Sequence, residues 1–298
     1  MRALVMSGGG NRIHLMLGAV ERLYREHPYR IFCGTSSGAI LAMSLASIGL
    51  DDTRDLLMKI TNADVYKGRR WTTLFTALMG IGARRGIYDP SPILGVLERN
   101  WHPKRAEMYG SMLSVRAVGL HSGRSRVWRF GPGAVDKGIP RATLASSSIA
   151  PFFPAVIIDG DAYVDGGVRD FAGIGDAIDW NASAIDVIWS RPLSLERWAG
   201  DNRAGMDSTL RQIGILAFEV SLRDLEQAHR INREVEAGRT DKRHVPITIY
   251  APTEGQYRNL PGTEDYLDFN RRNYGQMRRL GERMRRYSLP EAIEIARN

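Results

Sequence analysis

The pentapeptide Gly34-Thr35-Ser36-Ser37-Gly38 places the tightest local constraint on how this chain can fold. Before it Arg30-Ile31-Phe32-Cys33 forms a short apolar run ending at Gly34, which suits a buried strand. After it, Ala39-Ile40-Leu41-Ala42-Met43-Ser44-Leu45-Ala46-Ser47-Ile48 is apolar almost all round and stops at Gly49, as a buried helix with a glycine C-cap does. In a G-x-S-x-G sequence at such a strand-to-helix turn, the flanking glycines permit a sharp bend that leaves the central hydroxyl exposed. Ser36 is therefore the candidate nucleophile. Ser37 is not, because Thr35 and Ala39 stand where its own turn would need glycines. At a helix start, unpaired N–H groups and the positive dipole end favour negative charge beside Ser36.

A second constraint comes earlier. Leu4-Val5-Met6 reads as a strand, Ser7-Gly8-Gly9-Gly10 as a glycine loop, and Ile13 to Tyr24 as an amphipathic helix. Successive glycines let the backbone turn with its N–H groups exposed to a ligand, as an oxyanion hole requires. A nucleotide site is the weaker reading, since the stretch has neither the Gly-Lys-Ser/Thr of a phosphate loop nor a G-x-G-x-x-G dinucleotide pattern.

The third piece, Asp165-Gly166-Gly167, follows the strand-like Ala162-Tyr163-Val164. With these pieces in this order the chain resembles the patatin-like phospholipases, which join a G-G-G-x-R/K-G loop to a G-x-S-x-G serine and a much later D-G-G or D-G-A aspartate. Other segments match the family's order: Arg85-Gly86-Ile87-Tyr88-Asp89 before an apolar helix, a strand at Leu113 to Val118, and Ala145-Ser146-Ser147-Ser148 followed by Ala150-Pro151-Phe152-Phe153-Pro154. The likeness covers residues 1–180 well and is loose beyond Trp180, with Val245 to Tyr250 as a last strand and Leu267-Asp268-Phe269 opening the final helical segment. It implies an α/β fold, a three-layer α/β/α sandwich around a central, mostly parallel sheet. Residues 1–298 are expected as a single domain whose part from 181 to 298 is mostly helical.

The resemblance also implies a Ser-Asp dyad. Ser36 would attack an ester carbonyl, and Asp165 would deprotonate the serine and then activate water against the acyl-enzyme. The N–H groups of Gly8, Gly9 and Gly10, joined by that of Ser37, would stabilise the oxyanion. Gly34 and Gly38 shape the elbow, Gly166 and Gly167 leave room for the serine, and Arg12 orients the glycine loop or neutralises an anionic headgroup. The implied activity is hydrolysis of carboxylic esters of phospholipids, lysophospholipids or related lipids, with no cofactor. Two positions depart from the pattern: Ile13 replaces a glycine, and Val168-Arg169-Asp170-Phe171-Ala172 replaces a run toward Asn and Pro. Both bear on substrate fit, and a catalytically impaired lipid-binding or scaffold protein on the same fold is the alternative.

A Ser-His-Asp hydrolase fits less well. Its elbow follows several strand–helix units and its order is Ser, acid, His, whereas Ser36 follows one unit and the later His229 and His244 sit among charged residues. His14, His27, His102 and His121 precede the acid, and no pair has metal-ligand spacing with a carboxylate or thiolate. Ser146, Ser147 and Ser148 lack framing glycines and read as packing and capping positions. Asp51-Asp52 and Asp89 read as helix starts. Asp159-Gly160-Asp161 reads as a hairpin turn.

With 298 residues, 43% of them hydrophobic, the chain can bury a substantial core. Its single cysteine, Cys33, falls in the strand before the elbow and is expected as a buried, reduced thiol. Neither a charged-then-apolar leader nor a membrane-length apolar stretch is read, so a cytoplasmic protein with at most peripheral membrane contact is expected. Lys and Arg total 41 against 33 acids, a net charge of +8 that attracts anionic surfaces. Much of the excess lies near 271–287, where Tyr274, Met277, Leu280, Met284 and Tyr287 interleave with arginines as in a basic amphipathic helix. Its basic face is either solvated over a packed stripe or in contact with anionic lipid. Trp71 to Ile81, between Lys67-Gly68-Arg69-Arg70 and Arg84-Arg85, has a composition that suits a membrane interface, a lid or acyl-chain channel, or a plain core helix. No nucleic-acid signature accompanies the charge. Ser208 to Glu236 reads as a long amphipathic helix.

Overall fold

The computed structural model describes residues 1–68, 86–195, 205–260 and 267–297. The chain opens with β1 (Arg2–Met6), α1 (Ile13–Glu26), β2 (Ile31–Gly34) and α2 (Ser37–Leu57). It continues through α3 (Ser91–Asn100), β3 (Met112–Gly119), β4 (Ser125–Gly131), α4 (Ile139–Ser146), β5 (Val156–Ile158) and β6 (Asp161–Asp165). The last part supplies α5 (Ile174–Asp179), β7 (Ala184–Ile188), α6 (Gly205–Glu236), β8 (Ile247–Ala251), α7 (Arg271–Glu282), β9 (Arg285–Ser288) and α8 (Leu289–Arg297).

The strands build one mixed sheet in the order β9-β8-β7-β1-β2-β3-β4. Its inner run from β8 to β3 is parallel, and antiparallel β9 and β4 flank it. Parallel strands covered on both faces need apolar side chains on both, and Ala3, Leu4, Val5 and Met6 are all fully buried. Alternate residues point to opposite faces. Leu4, Met6 and Phe32 join α1, α2, α4 and α7 in one core, while Ala3, Val5, Ile31 and Cys33 join α5, α6 and α8 in the other. The result is the α/β/α sandwich.

The C-terminal segment departs from its sequence pattern. The stretch near 271–287 is not one helix: α7 ends at Glu282, and Arg285–Ser288 becomes a strand with Tyr287 opposite Ile249 of β8. An uncovered sheet edge carries unpaired backbone groups, and pairing them outweighs the helical periodicity of this run. The apolar stripe of α7 is also not available to lipid. Tyr274 and Met277 are buried, and α7 crosses α1 so closely that a β-carbon on Gly281 would lie 1.9 Å from the Leu15 carbonyl oxygen. The final strand is thus β9, and the stretch from Val245 to Tyr250 supplies β8 only from Ile247 onward. Trp71 to Ile81 lies outside the described residues. Among the described residues, no helix is long and apolar enough to cross a membrane.

Candidate active site

Register on β3 explains how Ser36 and Asp165, distant in sequence, come together. Two strands share one edge of β3: parallel β2 pairs along its first half, ending with Gly34 opposite Val115, and antiparallel β6 pairs along its second half, ending with Asp165 opposite Ala117. The two chain ends therefore meet head-on, about 6.6 Å apart along β3 for two residues of strand rise. Gly166 fits this junction because a β-carbon there would lie 2.4 Å from the Arg116 carbonyl oxygen.

Ser36 sits between β2 and α2 with φ 57° and ψ −129°, in the left-handed half of conformational space. Such a backbone typically costs about 1–3 kcal/mol and persists only where its surroundings over-determine it. Here they do. The Ser36 N–H donates to the Ser146 hydroxyl oxygen at 3.0 Å, and the Ser147 hydroxyl donates to the Ser36 carbonyl oxygen at 3.1 Å. Gly34 and Gly38 are required by contact: β-carbons on them would lie 2.2 Å from the carbonyl oxygens of Gly38 and Met6, respectively. Ser36 is half-buried, whereas Ser37 is buried at the start of α2.

Asp165 is 4% exposed. Burial raises its pKa from 3.8 to about 6, opposed by hydrogen bonds from the Gly167 N–H and from the Ser36 hydroxyl. The Gly167 bond is 2.8 Å long. A carboxyl tuned in this way is a base near neutral pH that lies within reach of a serine hydroxyl.

The glycine loop approaches the same point. A β-carbon on Gly8 would lie 3.1 Å from the Ser36 β-carbon, so the loop touches Ser36. Gly8 is nevertheless placed differently from the expectation of an oxyanion donor: its N–H is directed to the Phe171 carbonyl oxygen at 3.4 Å. The N–H groups of Gly9, Gly10 and Ser37 have no acceptor among the described residues. The Gly8 carbonyl oxygen accepts from both the Ser7 and Ser190 hydroxyls, and the Ser190 N–H donates to the Ser7 hydroxyl oxygen at 3.0 Å. Arg12 is 3% exposed, its N–H reaches the Gly9 carbonyl oxygen at 3.2 Å, and its guanidinium stacks over Tyr257 at 5.0 Å. Burial keeps the Arg12 guanidinium beneath the surface beside the glycine loop. Ile13 takes ordinary helical backbone angles and packs in the core, so a glycine is not needed there.

The segment after Gly167 is tied down by charge. Arg116 holds Asp170 at 3.0 Å and Asp176 at 2.6 Å, and Asp224 of α6 accepts from the Phe171 N–H at 3.2 Å. Burial, and then the neighbouring Asp170, push the Asp224 pKa well up. A carboxyl with a raised folded pKa contributes stability while protonated and loses it as pH rises through that value. Thermal stability is therefore expected to fall between mildly acidic and mildly alkaline pH, and Asp224→Asn to flatten that fall. Melting curves across this range check it.

Arg116, Ser146, Ser147, Ser190 and Asp224 were not singled out as site residues in the sequence. Arg116 is visible there as the one charge inside a mostly apolar strand. The histidines have other partners: His14 is buried between the Asn11 and Leu57 carbonyl oxygens, while His121 and His244 pair with Asp161 and Glu236 on the surface.

The patatin-like phospholipase family model matches residues 4–178, from within β1 into α5, a span that holds the glycine loop, the elbow and Asp165. Comparison with curated proteins returns no match. Among solved structures, the chain is similar to the crystal structure of VipD from Legionella pneumophila at 12% identity and a TM-score of 0.40, with 96% of this chain and 68% of that chain covered. With the family matched over more than half of its length, this chain belongs to the patatin-like phospholipases.

Proposed function

We propose that the protein is a lipid acyl hydrolase of the phospholipase A or lysophospholipase type, working through Ser36 and Asp165. The observation that supports this reading above all is the convergence of a half-exposed, backbone-strained serine on a buried carboxyl whose pKa is raised to about 6. Asp165 takes the Ser36 proton as Oγ attacks the acyl carbonyl carbon. The tetrahedral intermediate collapses, the proton passes to the departing alkoxide, and an acyl-Ser36 ester remains. Water, deprotonated by Asp165, then attacks that ester; the fatty acid leaves and Ser36 recovers its proton.

Oxyanion stabilisation falls to the N–H groups of Gly9, Gly10 and Ser37. In a trans peptide the C=O and the next N–H point in opposite directions, so hydroxyls that anchor the Gly8 carbonyl aim the Gly9 N–H away from themselves. Ser190→Ala is accordingly expected to lower kcat roughly 10-fold with KM little changed, since a misaimed donor weakens the transition state more than the ground state. Steady-state kinetics on a soluble ester check this.

The reading itself is tested by fatty acid release from phosphatidylcholine and lysophosphatidylcholine. The wild type is expected to release it and Ser36→Ala not; release by Ser36→Ala at the wild-type rate would refute the assignment.

A further inference from the structure

We propose that one face of the β5–β6 hairpin docks this protein on an anionic lipid surface. The inference deepens the hydrolase reading, resting on it for the nature of the substrate though not for the binding itself. The hairpin exists because β3 outruns β2, so that β6 and then β5 continue the sheet beyond the elbow. Cross-strand partners share a face. Val156, Ile158 and Tyr163 point to one side and pack into the core beneath α4. The register puts Ile157 opposite Ala162, and the Leu120 N–H donates to the Ala162 carbonyl oxygen at 2.8 Å, so these three share the other side. That side is uncovered: Ile157 is 54% exposed and Leu120 57%. Val168, just beyond Asp165, is 62% exposed. Exposed aliphatic residues adjoining each other mark an interaction surface.

Charge selects the partner. Arg141 donates to the Ile157 carbonyl oxygen at 2.9 Å and Arg169 to the Gly123 carbonyl oxygen at 2.8 Å, which fixes one guanidinium on the β5 backbone and the other on the turn that follows Leu120. Arg124 is exposed in the same loop. The nearby acids are already paired, Asp159 with Arg126 at 3.0 Å and Asp161 with His121 at 2.8 Å. Arg124, Arg141 and Arg169 have no acidic partner among the described residues. Aliphatic side chains ringed by unpaired arginines complement a bilayer of acyl chains beneath anionic headgroups. Asp165 lies two residues beyond Tyr163, on the face of the sheet opposite the strip, so docking on the strip anchors the protein beside the site.

The test is co-sedimentation with vesicles of phosphatidylcholine containing phosphatidylserine and with vesicles of phosphatidylcholine alone. The wild type is expected to bind the anionic vesicles more tightly, and the double substitution Leu120→Asp/Ile157→Asp to weaken that binding at least about 10-fold. Melting temperature and turnover of a short soluble ester are expected to stay as in the wild type. Arg124→Glu, a change at an exposed position, should weaken binding to anionic vesicles only. Equal binding by the wild type and these variants overturns the proposal, as does no binding to either vesicle. Wild-type self-association abolished by the double substitution would also overturn it, assigning the strip to a second copy. Vesicle binding without fatty acid release leaves docking standing and defeats the hydrolase reading; release that is indifferent to the strip does the reverse.

Discussion

Asp165→Asn is expected to turn over no ester at a measurable rate and yet to melt at a higher temperature than the wild type at pH 7 to 8. Loss of a general base that acts in both half-reactions costs at least about 10⁴-fold, because an amide cannot accept the Ser36 proton. The gain in stability follows from burial. The folded pKa is raised from 3.8 to about 6, so the buried carboxyl contributes most below pH 4, and that contribution is lost as pH rises through about 6. Above that value the native state carries a desolvated charge whose cost is on the order of 2–3 kcal/mol. Asparagine removes the charge and keeps an oxygen for the Gly167 N–H. A rise in melting temperature of roughly 5 °C is expected at pH 8, shrinking toward pH 4. In the wild type, kcat/KM on a soluble ester should rise through about pH 6 and level off above it, as the base ionises. Calorimetry and a pH–rate profile on the same preparations check both halves.

Gly38→Ala is expected to be the most disruptive small substitution in the site. A β-carbon would lie 2.2 Å from the Met6 carbonyl oxygen and 2.5 Å from that of Ser7, both backbone atoms at the end of β1. Neither can yield without displacing the strand that carries the glycine loop. Forced overlap of this kind in a close-packed interior belongs to the tail of substitutions that cost more than about 4 kcal/mol. The expected result is loss of soluble, cooperatively unfolding protein, measured by circular dichroism on heating. A variant that folds and hydrolyses like the wild type would contradict the close approach of α2 to β1.

These two positions also mark what the sequence reveals. Gly34, Ser36 and Gly38 are legible because the sharp backbone of the elbow admits few residue types, whereas Asp165, in ordinary extended backbone at φ −46° and ψ 132°, and the α/β/α sandwich are legible through the resemblance to the patatin-like pattern. Ser146 and Ser147 are not, since a serine that holds another residue's backbone looks in sequence like any serine that packs a helix. Ser190 and Asp224 are hidden for the same reason: their partners, the Gly8 carbonyl and the Phe171 N–H, are reached only through the fold. The run from Arg285 to Ser288 misleads in the other direction. Its helical periodicity is real, but pairing with the edge of β8 decides its structure.

The central claim is that Ser36 is an activated nucleophile. Incubation with a fluorophosphonate probe, read by intact mass and by peptide mapping, tests it without requiring the physiological lipid. A single adduct on Ser36, absent from both Ser36→Ala and Asp165→Asn and forming faster as pH rises through about 6, is the predicted result. Folded wild-type protein that takes up no probe with or without vesicles, or an adduct that persists in Ser36→Ala, would contradict it.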